Sequence, residues 1–165
     1  MNIMKKINFL IKLHQEGKLK AVEPSEEMKK AYFERADESL SSAKALLKMG
    51  NLKDAVALSY YAMYHALLAL LFRTGIKCEN HAASIILLSE VFGIDNASIS
   101  KAKSERVDKQ YYVDFSVTRD EVSNSIRTAE EFIADVTDYA ERLNEDKIKE
   151  CQRKALSLIM DESPK

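Results

Sequence analysis

From Ala55 to Phe72 the chain carries no charged residue, in a sequence where 31% of residues are charged. A run this long and apolar has to be buried in a membrane or in a protein core. It touches the lower length limit for a membrane span. Three tyrosines, a histidine and five alanines within it weaken its hydrophobicity. A buried helix in an α-helical domain is the better reading, with no membrane and, by default, a cytoplasmic location.

The helical period divides this segment into two faces. Ala55, Ser59, Ala62, Ala66 and Ala69 fall on one narrow stripe, in steps of four and three. Small side chains there allow another helix to approach closely. Tyr60, Tyr61, Tyr64 and His65 fall on the other side with Leu67, Leu68, Leu71 and Phe72. Buried hydroxyls and imidazole nitrogens need hydrogen-bond partners. This arc is therefore either core with its polar tips at the rim, or the wall of a pocket or subunit seam.

Punctuation around the segment is clear. Each of the four glycines (Gly17, Gly50, Gly75 and Gly93) follows an apolar-periodic segment, where a helix C-terminal glycine belongs. Pro24-Ser25-Glu26-Glu27 reads as a helix entry, and Asn51 with Asp54 and Thr118 with Glu121 read as capping boxes. The expected helices cover about 2–15, 26–49, 52–74, 82–92, 97–113 and 119–143. The first places Ile3, Ile7, Leu10, Ile11 and His14 on one face. The last is the clearest, with Val122, Ile126, Ala129, Ile133, Val136, Ala140 and Leu143 in a stripe suited to a neighbouring helix. A final amphipathic piece carries Ile148, Cys151, Ala155, Leu158 and Ile159, and either continues that helix or breaks at Asn144. No strand alternation competes, and only Tyr111–Val117 is strand-like. The expected fold is all-α, an antiparallel helical bundle with short links.

At 165 residues the chain suits one domain with a real core. A formal net charge of −1 argues against wholesale electrostatic binding of nucleic acid. Charge is nevertheless uneven. Residues 1–20 hold five lysines and one acid, whereas residues 119–150 hold ten acids and five bases. These regions could pair with each other or form separate solvated faces. Cys78 and Cys151 lack metal-type spacing, and with three scattered histidines they make no ligand cluster. No metal and no cofactor is expected.

The segment "AVALSYYAMYHALLALLFRTGIKCENHAASI" resembles the HEPN family (higher eukaryotes and prokaryotes nucleotide-binding domains), in the branch whose central helix reads S-Y-Y-A-M-Y-H-A, here Ser59–Ala66. Gly75 and His81 follow as that pattern requires, and "AEEFI" (Ala129–Ile133) fits the last long helix. The resemblance covers residues 25–143. It leaves a basic amphipathic arm (1–24) and a C-terminal helical extension and tail (144–165) outside. It implies a bundle of four to five core helices, a homodimer built around the central helices, and in many members a metal-independent ribonuclease, often a toxin paired with a minimal nucleotidyltransferase. Active members carry Arg, four to six residues, then His. In this chain the matching place is Arg106-Val107-Asp108-Lys109-Gln110-Tyr111, with tyrosine where histidine belongs. Tyrosine titrates near 10 and histidine near 6.5, so Tyr111 is a poor proton shuttle at neutral pH. Arg106 can still hold a phosphate through its planar fork.

Three functions follow. The first is a binding module for a nucleotide, RNA or a partner nucleotidyltransferase, one half of a toxin–antitoxin-type pair without standard ribonuclease activity. The second is a ribonuclease toxin in which His65 or His81 works with Arg106. The third is a structural adaptor acting through its terminal amphipathic helices. Candidate catalytic residues are Arg106, Tyr111, His65 and His81. Candidate ligand or interface residues add Tyr61, Tyr64, Asp108 and Tyr112.

Overall fold

A computed structural model describes the backbone of residues 1–111 and 116–160, and the side chains of all of these except 108–111. The chain forms an antiparallel bundle of helices α1 (Ile3–Gln15), α2 (Glu26–Met49), α3 (Leu52–Arg73), α4 (His81–Phe92), α5 (Ala97–Tyr111), α6 (Arg119–Glu141) and α7 (Glu145–Ile159). The expected all-α bundle is the observed fold.

Helix α3 is the axis. It is long and apolar enough to cross a membrane by length and composition, yet 72% of its most apolar window is buried inside the bundle. Ala55, Ser59, Ala62, Ala66 and Ala69 are all sealed from solvent. Helix α2 runs against α3 after a two-residue link, placing Ala36 and Ala43 in the interface. Helix α6 packs its predicted stripe onto α3, with Val122, Ile126, Ala129, Ile133, Val136 and Ala140 buried.

The caps follow the sequence at most ends. Ser25 Oγ accepts from the Met28 amide, and Thr118 and Glu121 form a complete capping box. Asn144 caps α7, so the chain breaks there. Asn51 is a correction: it precedes α3 but makes no side-chain cap bond. Its amide closes the end of α2 by donating to the Leu46 carbonyl, after Gly50 at φ 81°. That closure fixes the Asn51 backbone away from the extended geometry an N-cap needs.

Two further features differ from expectation. A short antiparallel ribbon joins β1 (Leu19–Ala21) to β2 (Ile76–Cys78), with Lys20 opposite Lys77. Three-residue strands are too short to show a period, and backbone bonds between distant segments make the pairing. In α1 the buried residues are Leu10 and Leu13, and Ile3 is 50% exposed, because the helix turns Leu13 rather than Ile3 inward. Leu10 and Leu13 share one core cluster with Cys151, Ala155 and Ile159, so both terminal helices pack on the bundle. Lys6 pairs with Glu90 and Lys12 and Lys18 with Glu16, and among the described residues no arm lysine pairs with an acid of α6.

Candidate functional site around Arg106 and His81

The aromatic arc of α3 splits in two. Tyr60 and Tyr64 are buried and face the start of α4. Tyr61 and His65 are half-buried and lie on a stripe with Leu58, Leu68 and Phe72, in steps of three and four. Sequence periodicity groups all four residues because it cannot say where α4 begins to cover α3.

His81, the first residue of α4, stacks on Tyr64 with ring centroids 3.8 Å apart. Its Nδ1 lies 2.7 Å from the Tyr60 hydroxyl. Burial lowers the His81 pKa, and the charges of Arg106 and Lys103 lower it further. The helix start also disfavours a cation. Burial pushes the Tyr60 hydroxyl well above its ordinary pKa and takes Tyr64 up to about 12. Both phenols are therefore protonated. Tyr60 is fully buried and its hydroxyl has this one side-chain partner among the described residues, so its proton is satisfied by donation to Nδ1. Neutral His81 then carries its own proton on Nε2, as a donor.

Arg106 comes from α5 and closes the cluster. Its guanidinium carbon sits 5.3 Å from the Tyr60 ring centre and 5.4 Å from that of Tyr61. Its Nη1 donates to the Tyr61 hydroxyl at 2.8 Å. Its Nε is buried without a hydrogen-bond partner among the described residues. Among the described residues Arg106 has no carboxylate partner. A cation held over two rings, with a donor left over, is arranged to receive an anion.

His65 lies on the α2 side, its Nδ1 3.2 Å from Ser39 Oγ and its ring tilted against Tyr32 at 6.2 Å. Burial lowers its pKa, helped by the charge of Arg35. Tyr32 in turn stacks on Phe72.

The structure thus brings together Tyr61, Tyr64, His81 and Arg106, with His65 adjoining through Tyr61. The side chains of Asp108 and Tyr111, and all of Tyr112, lie outside the described residues. Sequence reasoning placed Tyr60 in the aromatic arc without naming it a candidate site residue, and missed Tyr32, Ser39 and Lys103 altogether. The spacing Tyr32, Ala36, Ser39, Ala43 on α2 was the available signal for two of them. Among the described residues no group of three or more His, Cys, Asp or Glu side chains is placed to hold a metal ion.

Comparison with known proteins bears on the same segment. The model of the HEPN domain matches residues 29–143. Over 110 residues the chain is 30% identical to the protein named Putative toxin MJ0605 of Methanocaldococcus jannaschii, covering 62% of this chain and 81% of that protein. Over 60 residues it is 42% identical to UPF0332 protein PH1297 of Pyrococcus horikoshii, covering 36% of this chain and 42% of that one. With a helical bundle built on α3 and a family match across most of its length, the chain belongs to the HEPN domain family.

Proposed function

We propose that this chain is a homodimeric HEPN binding module, one half of a toxin–antitoxin-type pair, that engages a phosphate-bearing partner through Arg106. The partner is RNA, a nucleotide, or a nucleotidyltransferase presenting one. The observation that carries this reading is the Arg106 guanidinium, held against Tyr60 and Tyr61 with no carboxylate partner, and with Nε unpartnered, among the described residues. Similarity to a protein named as a toxin supports the pairing. The half-exposed stripe Leu58, Tyr61, His65, Leu68 and Phe72 supports the dimer, since its spacing suits a second helix.

The ribonuclease reading draws less support. A general base needs a free lone pair, whereas His81 Nδ1 is engaged by the Tyr60 hydroxyl at 2.7 Å and His65 Nδ1 by Ser39 Oγ at 3.2 Å. Affinity purification from the native cell tests the proposal. A nucleotidyltransferase, nucleotide or RNA should co-purify and be lost on Arg106→Ala. Reproducible RNA cleavage by the pure protein, abolished by Arg106→Ala, would overturn it.

A further inference from the structure

We propose that Lys103 is a second cation of the Arg106 site, and that the groove between α4 and α5 takes a ligand bearing two consecutive phosphate groups. This rests on the reading of Arg106 as an anion-binding residue. Lys103 and Arg106 are three residues apart on α5, so they are neighbours on one helix surface. The groove beside them has a volume of about 500 Å³. Ala82, Ile85, Ile86 and Val107 supply its apolar wall, and Lys103 and Ser104 line it as well. Ala82 follows His81 in the chain and Val107 follows Arg106, so the elements that carry the Arg106–Tyr60–His81 cluster also wall the groove.

The charge balance of the groove is unequal. Lys6 also lines it, but Lys6 is tied to Glu90 at 3.0 Å. Lys103 has no carboxylate partner among the described residues. Two cations at this spacing, neither with a carboxylate partner among the described residues, repel each other. They do so beside an apolar wall that strengthens their field. The charges of both Arg106 and Lys103 lower the His81 pKa. One phosphate on Arg106 leaves Lys103 unanswered, whereas a second consecutive phosphate answers it. Ser100 and Ser104, one turn apart on the same wall, add hydroxyl donors for the connecting oxygens.

Two sources share this chemistry, a nucleoside polyphosphate and a phosphodiester chain. Calorimetric titration of the full chain with inorganic phosphate, pyrophosphate and a short oligoribonucleotide separates them. We expect pyrophosphate or the oligonucleotide to bind more tightly than phosphate. Lys103→Gln should weaken the two-phosphate ligand about tenfold and leave phosphate unchanged, with Lys103→Arg restoring the affinity. If the oligonucleotide is the ligand, the slope of log K against log salt should fall by about 0.7 in Lys103→Gln, an effect a purely structural lysine would not have. A response confined to pyrophosphate assigns the site to polyphosphates, and one confined to the oligonucleotide assigns it to a strand. Unchanged binding of both in Lys103→Gln, with loss in Arg106→Gln, overturns the role of Lys103 and leaves Arg106 standing. No binding of any probe by the unmodified protein overturns both.

Discussion

The Tyr60 hydroxyl and His81 Nδ1 are hydrogen-bonded across 2.7 Å, joining the middle of α3 to the first residue of α4, and the buried phenol proton is satisfied with Nδ1 as its acceptor. This bond sets the tautomer of His81 and turns its Nε2–H outward from Tyr60 as a donor. Tyr60→Phe should release that tautomer at a cost of about 1 kcal/mol. Nitrogen-detected NMR at neutral pH should show a single Nε2–H form of His81 in the unmodified protein and a mixture in Tyr60→Phe. A mixture in both would mean that the bond does not select the tautomer.

Both site histidines titrate below their ordinary value, mainly through burial. The unfolded chain therefore binds protons more readily than the folded one around pH 6.5. Stability should be full above that pH and should fall as the pH drops below it. The urea midpoint should decline between pH 7 and 5, before the carboxylates begin to titrate. His65→Gln combined with His81→Gln should flatten that decline. In Arg106→Gln the His81 pKa should rise, because a cation that depresses it is gone.

Much of this site was legible in the sequence and part of it was not. Glycines and caps mark helix ends through local backbone chemistry, so α2 and α6 could be bounded from their own residues. The pairing of Arg106 with Tyr61 joins positions 45 residues apart, and only the packing of α5 on α3 creates it. The family motif directs attention along α5 to Tyr111, whereas among the described residues Arg106 meets Tyr60 and Tyr61 of α3. Lys103 escaped notice because its significance lies in lacking a carboxylate partner among the described residues, which no sequence displays.

The half-exposed stripe on α3 predicts a helix seam between two copies. Leu68 lies on it, partly buried against the core and away from Arg106 in sequence. Leu68→Glu should convert a dimer to a monomer in light scattering while helical circular dichroism is retained. A dimer that survives this change, with the fold intact, places the seam elsewhere.

Gly75 joins the terminal helix to the ribbon. It adopts φ +74°, and an added Cβ would lie 2.4 Å from Gln152 Nε2 and 2.5 Å from the Val22 carbonyl oxygen. The Gln152 amide donates to the carbonyls of Val22 and Gly75, at 2.9 and 3.0 Å. Gly75→Ala should therefore cost more than the ~1–2 kcal/mol of a left-handed backbone, since it also displaces Gln152. Gln152→Ala alone should cost about 1 kcal/mol. Urea denaturation of the two variants measures the difference, and equal losses would mean that Gln152 yields without resistance.

Lys29 is the one buried lysine among the described residues, with its ammonium 2.7 Å from Glu26 and 3.2 Å from Glu141. Burial works against its charge, but hydrogen bonds to the two acids hold its pKa above the ordinary value. The partners are more than half exposed, so water can take them back if the lysine is removed. The converse does not hold, because the buried ammonium cannot reach water as easily. Lys29→Met should therefore change stability by less than about 1 kcal/mol. Glu26→Gln with Glu141→Gln should cost ~2 kcal/mol, as a buried cation loses both counter-charges. Chemical denaturation at pH 7 ranks the variants. The reverse order would mean that the lysine stem packs the α2–α6 boundary in a way methionine cannot reproduce.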